Sequence, residues 1–176
     1  PEREMAIKRG HLRPGDCVSI DQYVSSRPGR LANSFGKEKG KDRYNGGTIY
    51  VDHASSYVYL KHQVSMRVGE TLVGKHEFEH LADGFNVKFK SFCADNHPFA
   101  AEEFVADIKL HSQTIDYSGV GAHFQNGVAE RAIQTIVTWA RAMLMHQLIH
   151  WPQHFDPGLW PFAMAYAVHL WNHMPR

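Results

Sequence analysis

The sequence DCVSIDQYV, residues 16–24, alternates apolar and polar side chains. Alternation of this kind predicts a strand with one face in a core, and it places Asp21 near the far end of that strand. The alternation stops after residue 24. Residues 27–47 contain five glycines and several basic side chains, a composition typical of a long surface loop. We therefore predict a first strand over 16–24 and a basic loop insertion over 27–47.

Strand-like and helical segments follow one another along the rest of the chain. Residues 48–52 and 57–61 are rich in β-branched and aromatic side chains and are joined by a short link, so they predict an antiparallel hairpin. Two more strands are predicted at 87–94 and 111–116. Apolar residues near helical spacing predict helices over 68–81, about 98–110, 129–148 and 159–171. This order predicts an α/β domain with a mixed five-stranded sheet flanked by helices.

Length and charge limit the architecture and the function classes. With 176 residues, of which 43% are hydrophobic, the chain is expected to form one domain over 15–176, preceded by a linker or arm at 1–14. It carries 19 Lys plus Arg against 18 Asp plus Glu, so any binding of DNA must depend on local clusters of charge. No apolar run approaches the roughly 20 residues of a membrane span, and the chain is expected to be soluble.

Cysteine and histidine give little sign of a zinc site or of a disulfide framework. Cys17 and Cys93 are each expected to be a reduced, buried thiol. The thirteen histidines are scattered, and although His76 and His80 share helical i,i+4 spacing, no third ligand is evident, so zinc is not expected. Because the chain begins at Pro1 and ends directly after a helical pattern, we expect it to be a segment of a longer polypeptide.

Three acids are candidate ligands for divalent metal ions. Asp21 is predicted near the end of the first strand, Asp95 just after the fourth strand, and Glu130 on the long helix, beside its apolar stripe. Phosphoryl transfer on DNA uses two divalent ions about 4 Å apart, and magnesium prefers oxygen ligands. Asp52 also ends a predicted strand and is a rival of Asp21 for the place of the first ligand.

Short motifs around these acids resemble those of copia-type LTR retrotransposon integrases. The segment QNGVAER at 125–131 resembles the signature around the catalytic glutamate, and ADN at 94–96 resembles the motif of the second aspartate. The interval from Asp95 to Glu130, positions 96–129, is 34 residues, within one of the spacing that names the D,D-35-E superfamily. LWP at 159–161 and WNHMP at 171–175 are similar to the helix that closes this core.

The resemblance implies a ribonuclease H-like fold and the activity of a retroviral integrase-like enzyme. Such an enzyme is a metal-dependent polynucleotidyl transferase: water removes terminal nucleotides from the 3′ ends of retroelement DNA, and the new 3′-hydroxyls attack target DNA. By this resemblance Asp21, Asp95 and Glu130 are the catalytic residues and hold two Mg²⁺ (or Mn²⁺) ions, with no covalent enzyme intermediate. The expected DNA-binding residues are Asn126, Arg131, Gln134, Lys37, Lys39, Lys41 and Arg43.

The resemblance also implies partners and a location. The partners are double-stranded DNA, both element ends and target, and further copies of the chain in a homo-oligomer. The expected location is the host nucleus, reached through a cytoplasmic particle, with the targeting signals outside this segment.

Other functions fit the same residues. A DNA transposase or nuclease of the same fold is one alternative, because a fold and three acids do not fix the substrate. A catalytically decayed or domesticated copy that only binds DNA is another, since family members usually carry Gly where His97 stands. The basic loop is equally well explained as a DNA-phosphate grip or as a solvated, disordered insertion.

Overall fold

The computed structural model describes residues 12–32, 43–95, 99–118 and 127–174. In this part of the chain the strands are β1 (Val18–Gly29), β2 (Tyr44–Asp52), β3 (Val58–Gln63), β4 (Ser91–Ala94) and β5 (Thr114–Tyr117). The helices are α1 (Val68–Asp83), α2 (Glu102–Leu110), α3 (Gly127–His150) and α4 (Trp160–His173). Two short 3₁₀ turns, Pro152–His154 and Pro157–Leu159, connect α3 to α4.

The strands form one mixed sheet in the order β3-β2-β1-β4-β5. β1 pairs antiparallel with β2 and parallel with β4, while β2 pairs antiparallel with β3 and β4 parallel with β5. The predicted five-stranded mixed sheet is thereby confirmed. β1 is its central strand, with the hairpin β2–β3 on one side and the parallel pair β4–β5 on the other.

Helices cover both faces of the sheet. Successive side chains of a strand point to opposite faces, so a strand such as β1 contributes to a core on each side. Ile20 of β1 packs in a core with side chains of α1 and α2. Tyr23 of β1 packs in a second core with α3 and α4. Along α3 the fully buried positions are mostly small, among them Ala129 and Ala132, which lets this helix approach the sheet closely. None of the described helices combines the length and apolar character needed to cross a membrane.

The predicted loop at 27–47 was too long at both ends. β1 continues to Gly29 and β2 begins at Tyr44. The β1–β2 register shifts between Val24 and Gly29, and such a bulge accepts Pro28 inside a strand. Gly29 is required by packing, not by a turn, since an added Cβ would lie 2.7 Å from Cε2 of Trp160. At this position, glycine therefore reflects the close approach of a neighbouring segment and not a loop.

Other boundaries differ from the sequence predictions in smaller ways. β4 and β5 are shorter than the predicted strands at 87–94 and 111–116. Residues 87–90 run beside the entrance to β1, where Lys90 N–H donates to the carbonyl of Gly15 at 2.9 Å. The two thiols are free, and their sulfur atoms lie 3.3 Å apart, with Cys17 buried and Cys93 half-buried. Residues 1–11 of the predicted arm lie outside the described residues.

Candidate active site

The parallel pairing of β1 with β4 puts two of the predicted acids side by side. The register pairs Ser19 with Cys93 and Ile20 with Ala94, and Asp21 and Asp95 are the next residues of the two chains. Neighbouring strands lie about 4.8 Å apart, so adjacent positions have adjacent side chains. Asp21 does not lie near the end of its strand as predicted, because β1 runs on to Gly29. It lies where β4 stops, and beyond that point β1 has no partner from β4.

The third acid belongs to the helix that covers the same face. Asp21 is two residues before Tyr23, so both side chains point from β1 toward the α3 face. Glu130 is in the first turn of α3, directly after the fully buried Ala129. A carboxylate in this turn is favoured by the positive end of the helix dipole. The structure thus brings Asp21, Asp95 and Glu130 from separate elements to one edge of the α3 face.

The pKa of Asp21 is affected by burial and by the two neighbouring acids. Burial raises the pKa of Asp21 to about 6, and the negative charges of Asp95 and Glu130 add to the increase. The N–H of Gln22, which donates to Oδ1 of Asp21 at 2.8 Å, opposes it. Repulsion of this kind penalises the ionised trio, and a nearby cation offsets the penalty.

The trio is close enough for electrostatic interaction but is not drawn tightly together. Among the described residues, which include all three acids, the carboxylate oxygens of Asp21, Asp95 and Glu130 do not all lie within 4.8 Å of one another. Mutual repulsion of carboxylates favours this separation.

Asp52, the rival for the first ligand, has a different environment. It is buried, with 3% of its surface exposed. Its Oδ1 accepts the N–H of Gly15 at 2.8 Å, and its Oδ2 accepts the N–H and the hydroxyl of Ser55 at 2.7 and 2.6 Å. Oδ2 of Asp52 is therefore engaged in the β2–β3 turn and Oδ1 holds the segment before β1, which favours Asp21 as the ligand.

The residues predicted to contact DNA lie in different parts of the structure, and some lie outside the described residues. Arg131 and Gln134 are exposed, three residues apart on α3, just after Glu130. Arg43 directly precedes β2 and is half-buried. Lys37, Lys39, Lys41 and Asn126 lie outside the described residues. Arg30, at the start of the predicted basic loop, forms an ion pair with Asp156 (Nε to Oδ2, 2.5 Å). That contact anchors the end of β1 to the segment before α4.

Sequence analysis missed a groove that begins beside the acids. It has a volume of about 390 Å³ and is lined by the far half of β1, by α3 and by Trp160. Tyr23 and Ile133 line it, two residues beyond Asp21 and three beyond Glu130, and Arg27 and Arg141 supply positive charge. The groove depends on the extension of β1 past residue 24, which the sequence did not predict. Arg141 was detectable, because it is on the same flank of the helix as Glu130.

One known protein resembles the chain in sequence. No protein-family model matches it. It is 32% identical over 139 residues to the retrovirus-related Pol polyprotein from transposon RE1 of Arabidopsis thaliana. The match covers 76% of this chain and 9% of that polyprotein, so the chain spans a small part of the length of this relative.

Solved structures resemble the chain in fold. The catalytic core domain of HTLV-2 integrase, in a dimeric form in complex with magnesium, has a TM-score of 0.61 at 18% identity, with 93% of this chain and 90% of that chain covered. A simian T-cell lymphotropic virus intasome, in complex with the PP2A regulatory subunit B56 gamma, has a TM-score of 0.64 at 17% identity. That match covers 99% of this chain and 55% of the other.

The sheet order, the helices on both faces and these neighbours define a ribonuclease H-like fold of the integrase catalytic core class. The relative found by sequence is encoded by a transposon, so among proteins of this fold the sequence comparison points to the transposon Pol polyproteins. In sequence the chain is similar to part of the Pol polyprotein of a copia-type transposon, and in fold it is similar to retroviral integrase catalytic cores. The resemblance predicted from the motifs at 94–96 and 125–131 is confirmed.

Proposed function

We propose that the chain is a metal-dependent polynucleotidyl transferase that processes the 3′ ends of retroelement DNA and joins them to target DNA. The observation that carries this proposal is the β1–β4 pairing, which sets Asp21 beside Asp95 on the face that α3 covers with Glu130. Three carboxylates from three elements, held near one another against their mutual repulsion, are what a divalent-ion site requires.

The acids fit magnesium by their chemistry. Carboxylate oxygens are the ligands that Mg²⁺ prefers, and the raised pKa of Asp21, about 6, still leaves it mostly ionised above pH 7. The N–H of Gln22 holds Oδ1 of Asp21 and thereby fixes the orientation of the carboxylate. Two bound Mg²⁺ or Mn²⁺ ions would activate the attacking oxygen and stabilise the leaving oxygen. The magnesium complex of the HTLV-2 integrase core supports the choice of ion.

DNA binding is proposed for the flank of α3 that follows Glu130 and for the groove beside it. Arg131 and Gln134 are exposed there, and Arg141 lines the groove. Asn126 and the basic residues Lys37, Lys39, Lys41 and Arg43 are proposed as further contacts to phosphate. Arginine and lysine at such positions gain affinity by releasing counterions from DNA. We further propose action as a homo-oligomer in the host nucleus, on double-stranded element ends and target DNA.

The test is a disintegration-type strand-transfer assay of the 176-residue chain with Mg²⁺ and with Mn²⁺, using labelled branched DNA. Wild type is expected to rejoin the DNA, and Glu130→Gln is expected to lose at least about a hundredfold in rate. Glu103→Gln is the matched control, because Glu103 is an exposed glutamate in the first turn of α2 on the other side of the sheet. Equal rates for Glu130→Gln and wild type would refute the proposed site. A wild type that binds DNA but is inactive with both ions would support a decayed copy.

A further inference from the structure

A second group of ligand-type side chains lies on the opposite side of the sheet, between α1 and α2. His76, Glu79 and His111 each offer one ligand atom, and these atoms all lie within 4.8 Å of one another. His76 and Glu79 are three residues apart on α1 and so share one side of that helix. His111 is the C-terminal cap residue of α2. We propose that this His76–Glu79–His111 cluster binds a divalent transition-metal ion of the zinc class and fastens α2 to α1.

Both imidazoles are already oriented by one residue. The Nε2 of His76 is 2.7 Å from Oδ1 of Asp107, and the Nδ1 of His111 is 2.9 Å from the backbone carbonyl oxygen of Asp107. Histidines that bind metals almost always donate their other ring N–H to a carboxylate or a carbonyl, which fixes the ring and its tautomer. With Nε2 of His76 and Nδ1 of His111 donating to Asp107, the lone pairs are on Nδ1 of His76 and Nε2 of His111, and we assign these two nitrogens as the metal ligands of the proposed site.

Glu79 has one oxygen available for the same ion. Lys75 Nζ and Gln113 Nε2 both donate to its Oε1, at 2.7 and 2.6 Å. Among the contacts of the described residues, these two hydrogen bonds hold the carboxylate plane and leave Oε2 for a metal. Glu79 is 17% exposed, so its position is set mainly by the surrounding protein.

The charge of the region favours a cation. Lys75 is fully buried and is the ammonium partner of two carboxylates, Glu79 and Asp107, with Nζ 2.7 Å from each. Hydrogen bonds from Lys75 and His76 hold the pKa of Asp107 below its usual value although burial opposes this. Two carboxylates and one ammonium leave a formal excess of one negative charge when both histidines are neutral. The C-terminal end of α2, with its partial negative charge, adds to the attraction.

The ligand set distinguishes this site from the acid trio. Two imidazoles and one carboxylate form a three-residue set of the kind that holds zinc with a fourth position open to water. Nitrogen ligands favour zinc and its neighbours over magnesium. The side chains of His76 and His111 are 47% and 40% exposed, so an ion reaches them from solvent. The sequence shows no third ligand for His76 and His80 and does not predict zinc; the cluster that forms contains His76 but not His80.

The experiment follows thermal unfolding of the 176-residue chain as ZnCl₂ is added in the presence of excess MgCl₂, which is added to saturate the magnesium site proposed at Asp21, Asp95 and Glu130. Binding to the folded state raises Tm by mass action. We expect a rise of several degrees for wild type and for the control His80→Ala, which removes a histidine from the same helix. His76→Ala and His111→Ala are expected to weaken the apparent affinity for Zn²⁺ at least about tenfold. Circular dichroism and Tm without zinc establish that each variant folds.

Cobalt(II) gives an independent readout, because a four-coordinate site with nitrogen ligands absorbs visible light far more strongly than cobalt(II) with six oxygen ligands. The absorption is expected with wild type and His80→Ala and is expected to disappear with His111→Ala. No zinc response in wild type, an undiminished response in His111→Ala, or a lost response in His80→Ala would each overturn the proposal. None of these results depends on strand-transfer activity.

Discussion

Asp21 and Asp52 are carboxylates on neighbouring strands of one sheet, and their surroundings differ in kind. Asp52 is buried but accepts three hydrogen bonds, from Gly15 and Ser55. Asp21 is partly buried, accepts one hydrogen bond from Gln22, and faces two like charges. Burial costs a carboxylate less when donors replace the water it loses.

The difference is the one expected between an acid with a structural role, Asp52, and the proposed metal ligand, Asp21. The protein satisfies Asp52 with its own donors, so nothing further is needed there. It leaves Asp21 in an environment that penalises the ionised form, and either a proton or a bound cation relieves this penalty. Strained titratable groups of this kind cluster at functional sites.

The largest expected effect is on catalysis. Asp21→Asn removes a proposed metal ligand and is expected to lower the rate of disintegration at least about a thousandfold, as removal of an essential catalytic group does. Asp52→Asn is expected to lower the rate only in proportion to the fraction of unfolded protein. Rates measured at low temperature and normalised by circular dichroism test this. A thousandfold loss in folded Asp52→Asn would reverse the roles of the two acids.

The next effect is on stability and has opposite sign for the two acids. Asp52→Asn replaces a charged acceptor of three hydrogen bonds and is expected to lower the free energy of unfolding by roughly 2 to 3 kcal/mol. Asp21→Asn removes the repelled charge and is expected to raise it by roughly 1 kcal/mol, after allowance for solvent screening. Urea unfolding at pH 7.5 without divalent ions measures both. The comparison fails if the two substitutions change stability in the same direction.

The pH dependence of the free energy of unfolding tests whether the charge of Asp21 causes this stability difference. The folded-state pKa of Asp21, about 6, is above its ordinary value of 3.8, so between these values the folded state binds more protons than the unfolded state. The contribution of Asp21 to stability is therefore fully present below pH 3.8 and is lost as pH rises through 6. The stability advantage of Asp21→Asn is expected to be present at pH 7.5 and to shrink as pH falls from 6 toward 4. An advantage independent of pH would exclude the carboxylate charge as its cause.

The smallest effect concerns the groove that opens beside Asp21. Arg141→Gln is expected to weaken DNA binding severalfold and to reduce the slope of log K against log salt by about 1, as expected for one lost phosphate contact. Lys109→Gln is the control, because Lys109 is exposed at the end of α2, on the opposite face. Fluorescence anisotropy over a range of salt concentrations measures the slope. Equal slopes for the two variants would remove Arg141 from the DNA path.

Much of the fold could be predicted because it depends on local pattern. The hairpin predicted from 48–52 and 57–61 corresponds to β2 and β3, and the long apolar stripe corresponds to α3. Segment ends were less predictable, since they depend on partners far away in sequence. Residues 25–29 contain Arg27 and Pro28, which locally indicate a loop, but pairing with β2 and packing against Trp160 extend the strand over them.

The three acids and the His76–Glu79–His111 cluster also differ in how far they could be predicted from local sequence. Asp95 and Glu130 lie within short motifs that resemble a known family, so the sequence named them without knowledge of the fold. Glu79 and His111 have no such motif, and 31 residues, positions 80–110, separate them. Only the packing of α1 against α2, fixed by Lys75 and Asp107, brings them together.

The parallel β1–β4 pairing also affects the order in which the chain acquires its site. Strands that pair across long intervening segments form slowly, because closing a large loop costs entropy before contacts compensate for it. A ribosome-bound chain that ends before Gly127 contains Asp21 and Asp95 but lacks Glu130. The proposed metal site is thus incomplete in the growing polypeptide until α3 has been synthesised and docked on the sheet.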